Sequence, residues 1–335
     1  MNRRSLLRLM AGSAALGASW RSVAQGAASD AAYPAKAIRL VVPFPPGGAA
    51  DNLGRPLAKQ LSDMLGQPVI VDNRPGANTM IGAEYVVNAP ADGYTLLLAN
   101  EAGLSLSPAM APITQVKVPY DAAQDFAPIS VLGQYGSVLS VSPRLPARTL
   151  GELIEYARQR PKALNYASFG VGSQPHMMME ILARQAGIEV THVPYKGVAP
   201  AVVDLVAGHV QAMISAPSAP LPYIRDGRLR ALAYSGSARL PDLPDVPTFA
   251  EAGMPDFEAR GWFGVVVRAE TPEPIKASLR KAVWAIVNSK EYQAAAILPS
   301  GYEVPSVDPA GFPAFLADDM SKWKSTVAAV RDRLA

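Results

Sequence analysis

From residue 38 onward the chain alternates short apolar runs with longer segments of helical spacing, and this alternation constrains the fold more than any other feature. Strands are predicted at 38–42, 69–72, 95–99, 129–132, 138–142, 164–168, 190–193, 210–214, 230–234 and 263–267. Helices are predicted at 51–65, 80–89, 149–159, 174–186, 198–207, 273–288 and 309–332. Such alternation calls for an α/β architecture, with mainly parallel sheets and right-handed crossovers. The 31 prolines fall mainly between these segments, where they punctuate rather than break them. A length of 335 residues suits two medium lobes. No repeat, low-complexity tract or flexible linker separates them, so the chain is expected to pass between the lobes more than once.

Two turns stand out against this background. After Val42, the stretch Pro43-Phe44-Pro45-Pro46-Gly47-Gly48-Ala49-Ala50-Asp51 delivers the chain to a helix carrying Leu53, Leu57, Leu61, Met64 and Leu65. Gly47 and Gly48 have no Cβ, so a ligand can reach the backbone there. The first N–H groups of the helix lack internal acceptors, and the helix dipole favours negative charge beside them. The turn therefore reads as half of a carboxylate site; an ordinary strand-to-helix turn capped by Asp51 is the competing reading. Further on, a strand ending at Ser168 leads through Phe169-Gly170-Val171-Gly172-Ser173 into a helix from Gln174. Ser168 and Ser173 are candidate hydroxyl donors. Two such turns in separate lobes, facing one another at the carboxyl ends of strands, would make a cleft.

Composition removes several alternatives. Arg3, Arg4 and Arg8, the apolar stretch from Leu6 to Trp20 and the small residues Ser22-Val23-Ala24 predict an export signal over 1–24, cleaved at about 24–28. Its start resembles a twin-arginine signal, with Sec export also compatible. Without its four arginines (Arg3, Arg4, Arg8 and Arg21), 27 of the 31 basic residues remain against 28 acidic ones. No basic run follows, which argues against a nucleic-acid partner, and anion binding has to be local. The absence of cysteine excludes disulfides, thiolate metal sites, a cysteine nucleophile and a lipidated cysteine anchor. His176, His192 and His209 lack the spacing of metal ligands, and no dinucleotide or phosphate-loop fingerprint is present, so no metal or cofactor is expected. A serine hydrolase using Ser168 or Ser173 with His176 is kept as an alternative, although the G-x-S-x-G elbow is missing. Met177-Met178-Met179 reads as core, and Trp262 and Phe263 as packing where the chain re-enters the first lobe.

Nine segments, in order and spacing, resemble a known family. They include Val42-Pro43-Phe44-Pro45-Pro46-Gly47-Gly48 with Asp51, Asn73-Arg74-Pro75-Gly76-Ala77 with Ile81-Gly82-Ala83, and Pro90-Ala91-Asp92-Gly93-Tyr94. Pro119-Tyr120-Asp121, Gly170-Val171-Gly172-Ser173 with His176, and His192-Val193-Pro194-Tyr195-Lys196-Gly197 follow. Arg228-Leu229-Arg230, Leu243-Pro244-Asp245-Val246-Pro247-Thr248 and Glu251-Ala252-Gly253 complete the set. Together they look like the Bug (TctC-like) family of periplasmic solute receptors of tripartite tricarboxylate transporters, over nearly all of the chain after the leader.

The resemblance implies a two-lobed periplasmic-binding-protein fold (type II-like), closing like a flytrap on a small organic, amino or aromatic acid. It implies a first lobe from 36–131 plus 254–335 and a second from 132–253. It also implies a monomeric, non-enzymatic receptor in the periplasm that serves integral membrane transporter subunits. Carried onto this sequence, the ligand residues are Phe44, Pro46, Gly47, Gly48, Asp51, Asn100, Ser168, Gly172, Ser173, Gln174, His176 and Ala216. The chain departs from the family pattern at Asn78, Thr79 and Met80, where two glycines are common, and at 100–108, which often carries threonines and a histidine. Asn100 is expected to replace a hydroxyl contact, Glu101 to disfavour a distal anion if it points inward, and Met80 and Leu104 to favour a less polar ligand. A monocarboxylate, an aromatic acid and a dicarboxylate all remain open, as does a signalling rather than a transport partner.

Overall fold

The computed structural model describes residues 33–257 and 259–334; the export signal expected over 1–24 lies outside them. Leu40, Val41 and Val42 are fully buried along β1 (Ile38–Val42), as a strand covered on both faces must be. β1 pairs in parallel with β2 (Val69–Asn73) on one side and β3 (Thr95–Asn100) on the other. The crossovers are α1 (Ala49–Leu65), whose Leu53, Leu57 and Leu61 are fully buried while Met64 is exposed, and α2 (Met80–Val87). The sheet is completed by β10 (Arg260–Arg268), which runs antiparallel to β3 and to the edge strand β4 (Phe126–Gly136).

The second sheet repeats the plan. β6 (Asn165–Ser168) pairs in parallel with β7 (Thr191–Pro194) and β8 (Ala212–Ser215), and β5 (Val138–Val141) runs antiparallel to β8 and to β9 (Arg230–Tyr234). Its helices are α4 (Leu150–Gln159), α5 (Gln174–Ala186), α6 (Val198–Ala207) and the short α7 (Leu221–Arg225). In each sheet four strands share a direction and one is reversed. The reversed strand is the one delivered from the other sheet: β5 follows β4, and β10 follows β9.

Only Ser137 separates β4 from β5, and the return path runs through 235–259. The two crossings are tied to each other. Gly136 N–H donates to the Tyr234 hydroxyl (3.1 Å), Ser137 N–H to Ser235 Oγ (2.7 Å), and Ser235 N–H to the Ser137 carbonyl (3.0 Å). After α8 (Glu273–Val287) and the single turn α9 (Lys290–Tyr292), α10 (Phe312–Ala329) makes a third tie. Its Phe312 and Leu316 join the first core with Val41, Leu97 and Trp262, whereas Trp323 and Val327 join the second with Tyr166, Met177 and Ile214. Beyond it Arg333 donates to Glu180 (2.7 Å) and to the Ile188 carbonyl (3.1 Å). The segment 254–335, assigned to the first lobe from sequence, therefore ends against the second, and the expected boundary at 131/132 falls inside β4.

Other differences from expectation trace to proline. β4 is longer than 129–132 because Pro128 sits on an edge strand, where a missing N–H breaks no interior ladder. The segment after β3, expected as a loop, is a π turn (Ala102–Leu106) followed by α3 (Ser107–Thr114). Pro108 there occupies the first helical turn, where the lost donor had no partner to begin with. α7 starts with a proline in the same way.

The crossing at Gly136 leaves no room for a side chain: a Cβ would lie 2.5 Å from the Gly236 nitrogen and 2.7 Å from the Tyr234 ring. Gly136→Ala is expected to cost about 1–3 kcal/mol of overpacking strain, read as a lower melting temperature by calorimetry. An unchanged melting temperature would mean that the crossing yields freely.

Candidate ligand-binding site

The first glycine turn is built around a carboxylate that faces inward. Residues 45–48 are exposed, and Gly48 takes an extended conformation (φ −87°, ψ 180°) ahead of α1. Gly48, not Asp51, holds the cap position; Asp51 lies in the first helical turn and is 3% exposed. Its Oδ2 accepts from Gly47 N–H (2.9 Å) and Arg55 Nε (2.7 Å), and its Oδ1 from Asn73 Nδ2 (3.0 Å). Burial pushes its pKa up, but these donors outweigh burial and hold it below the ordinary carboxylate range. With both oxygens committed, Asp51 shapes the turn. Asn52 N–H donates to Gly48 O (2.9 Å), while the N–H groups of Ala49, Ala50 and Asp51 have no acceptor among the described residues. Phe44, half-buried, meets Phe263 edge-on (5.9 Å), which stacks on Tyr135 (5.8 Å).

The second turn has the same logic with a neutral side chain. Gly172 N–H donates to His176 Nδ1 (3.1 Å), again four residues ahead. Accepting there places any ring proton on Nε2, and burial, followed by the neighbouring His192, lowers the His176 pKa to about 4. Its ring stacks on His192 (4.1 Å), which stacks on Tyr166 (5.1 Å). The hydroxyls of Ser168 and Ser173, expected to face a ligand, are spent within the turn. Fully buried Ser168 has its Oγ 2.5 Å from His192 Nε2 and accepts from Gly170 N–H (3.0 Å), and Ser173 Oγ donates to the Gly170 carbonyl (2.7 Å). Met177 N–H bonds back to Ser173 O (3.0 Å) and residue 175 is proline, so the α5 N–H groups without an acceptor among the described residues are those of Gln174 and His176. The Gln174 side chain is buried, and its Nε2 has no hydrogen-bond partner among the described residues.

Asn100 also serves the fold: its Oδ1 accepts from Gly103 N–H (3.2 Å) and Thr79 Oγ1 (3.5 Å). Glu101 does not face the cleft. It is 1% exposed, accepting from Tyr135 Oη (3.0 Å) and Trp262 N–H (3.1 Å), and so pins the end of β3 to β4 and β10. The Trp262 indole donates to Asp319 (3.0 Å), a half-buried carboxyl whose pKa is raised by desolvation. Ala216, half-buried, follows β8; beside it Pro217 lies close enough to Gly301 that a Cβ there would sit at 3.4 Å.

Of the expected site residues, Gly172 and Ser173 line a cavity of about 360 Å³. It lies between residues 169–173 on one side and residues 77–80 and 107–118 on the other. Sequence reasoning singled out Asn78 and Met80 on this wall but missed Met110, Thr114, Val116 and Val118. Its local signal is conformational: Ala77, Asn78 and Thr79 all have positive φ (46°, 52° and 74°) without a glycine among them. Such residues cost of order 1–3 kcal/mol each and persist where surroundings over-determine them. A larger cavity, about 640 Å³, lies between the crossing segments and α10, lined by Gln134, Ser235, Arg260, Asp319 and Lys322, and holds none of the expected ligand residues.

A family model described as tripartite tricarboxylate transporter family receptor (TctC) matches residues 53–331. Protein BugT of Bordetella pertussis is 39% identical over 300 residues, which cover 88% of this chain and 89% of that protein. Among solved structures, R. palustris Rpa4515 with adipate has a TM-score of 0.80 and 34% identity, covering 89% of this chain and 98% of its own. MatC (Rpa3494) from Rhodopseudomonas palustris with bound malate has a TM-score of 0.78 and 30% identity, covering 88% and 100%. The periplasmic binding protein BugD has a TM-score of 0.77 and 29% identity, covering 89% and 98%.

Burial raises the Glu101 pKa to about 7, against the lowering pull of Trp262 N–H and Tyr135. Between about 4.5, its ordinary value, and 7 the folded protein holds this proton more tightly than the unfolded chain, so Glu101 makes stability fall as pH rises through that window. His176 acts oppositely, its contribution rising with pH from about 4 to 6.5. Comparing wild type with Glu101→Gln isolates the first effect. In chemical denaturation the wild-type advantage is expected to be larger at pH 5 than at pH 7.5 by on the order of 2–3 kcal/mol. An equal difference at both pH values would show that Glu101 titrates normally.

Proposed function

The chain belongs to the tripartite tricarboxylate transporter receptor (TctC) family, and from that premise we propose that it is a monomeric periplasmic receptor that captures a small carboxylate between its two glycine turns and delivers it to transporter subunits in the membrane. The observation that carries this reading is shared by both turns. Each spends its side-chain groups on itself and leaves backbone N–H groups at a helix start as what it offers a ligand. Such groups, with the positive end of the dipole behind them, suit an anion's oxygens. Adipate and malate in two relatives of full-length similarity support a carboxylate as the ligand class.

Each charge-assisted hydrogen bond contributes roughly 1.5–3 kcal/mol. Three or four of them, less the cost of association and closure, correspond to about micromolar binding. A ligand that touches both lobes only when they are closed shifts the equilibrium toward the closed form. The family is one of receptors, not enzymes. The hydrolase alternative finds no nucleophile here, because Ser168 is fully buried and Ser173 donates to a carbonyl of its own turn. Export through the leader over 1–24, by a twin-arginine-like or Sec route, belongs to the same proposal.

The turn's role is tested at Gly48. Its φ and ψ suit any residue, and a Cβ would meet only the Pro45 carbonyl at 3.6 Å, so Gly48→Val should fold normally. It should nevertheless weaken carboxylate binding about 10-fold or more in titration calorimetry, because the side chain blocks the approach to the N–H groups. Wild-type affinity in the variant would remove the first turn from the site.

A further inference from the structure

The cavity beside the second glycine turn is of a size that takes a small organic ligand, and none of the residues lining it carries an ionisable side chain. Four of them have hydrogen-bonding side chains: Asn78, Ser107, Thr114 and Ser173. Three of these already donate within the protein. Asn78 Nδ2 donates to Ser107 Oγ (3.1 Å), Thr114 Oγ1 to the Met110 carbonyl (3.2 Å) and Ser173 Oγ to the Gly170 carbonyl (2.7 Å). The remaining wall is dominated by Met80, Met110, Val116, Val118, Phe169 and Val171. Val116 and Val171 are left 48% and 59% exposed, large apolar groups that a bound apolar body would cover.

Charge points the same way. Asp51 is an ionised group behind the first turn, whereas the matching residue behind the second, His176, is neutral. An acid group therefore meets no negative side chain behind the second turn, where the cavity begins. The left-handed run at 77–79, held through Thr79 to Asn100 and through Asn78 to Ser107, fixes the far wall in place.

We propose that the ligand is a monocarboxylate with an uncharged apolar body, aryl or alkyl, whose acid group meets the second glycine turn and whose body fills this cavity. The inference rests on the carboxylate-receptor reading above. A dicarboxylate would carry its second charge into a chamber with no cation and with most side-chain donors already committed, and an unpaired carboxylate away from water is strongly disfavoured.

The test is titration calorimetry of the full chain with pairs that share a skeleton: butyrate and succinate, hexanoate and adipate, benzoate and terephthalate, each with the primary amide of the monoacid. At least one monoacid should bind about 10-fold or more tighter than its diacid partner and than its amide. Val171→Lys, an exposed position on the cavity wall, should narrow the monoacid-to-diacid ratio about 2- to 5-fold by supplying a cation. Diacids binding as tightly as their monoacids, or tighter, overturn the inference and leave the carboxylate reading standing. Amides binding as tightly as acids overturn the carboxylate reading itself. Silence from the whole series overturns the inference too, since aryl and alkyl bodies of different lengths are represented.

Discussion

A backbone N–H in the first turn of a helix has no acceptor within its own helix, and the architecture of this protein depends on how α1 and α5 treat that deficit. Both do the same thing with different chemistry. The glycine N–H just before the helix is gripped by a side chain four residues on, Asp51 for Gly47 and His176 for Gly172. Each grip fixes the turn without consuming the N–H groups that follow it. A serine or threonine cap would have satisfied one of those groups. At Ser173, the natural residue for that task, the hydroxyl turns instead to the Gly170 carbonyl.

Such turns need rigid support, and the support is shared between the two sheets rather than built separately. Leu106 and Met110, from the segment after β3, sit in the second core beside Tyr166 and Met177, and α10 contributes to both cores. At the junction Glu101 joins three strands of the first sheet, accepting from Tyr135 of β4 and from the Trp262 N–H of β10. A buried carboxyl in this position is costly when ionised, and its two donors offset only part of that cost, which is why its pKa rises rather than falls.

How much of this was legible in the sequence follows from what kind of signal each feature leaves. The strands of both sheets were legible because apolar runs such as Leu40-Val41-Val42 are buried on both faces, and periodicity records burial directly. Both glycine turns were legible because glycine marks positive φ, realised at Gly47, Gly170 and Gly172. The helix over 107–114 was hidden because Pro108 and Pro112 signal loops unless the register of the first turn is known. The direction of the Ser168 and Ser173 hydroxyls was hidden for a different reason. Composition says that a donor is present, but only the local backbone says whether an acceptor such as Gly170 O is nearer than a ligand. The strained run at 77–79 left no trace beyond the absence of the expected glycines, because strain is imposed by distant partners such as Asn100 and Ser107.

Cations near the first turn are already matched, Arg55 to Asp51 and both Arg39 and Arg74 to Asp72. On the proposed reading, an acid that meets the two turns would be answered by peptide dipoles, which recognise an oxygen anion but not what it is attached to. Such a grip can be kept while ligand identity changes, provided that a separate surface does the discriminating. Residues 77–80 and 107–118, across the cavity from the second turn, offer a surface of that kind, one that can be altered with no change in either glycine turn. Two relatives can then share the turns and still differ in ligand, because the energy that separates one acid from another comes from burying, or failing to bury, the part of the molecule that carries no charge.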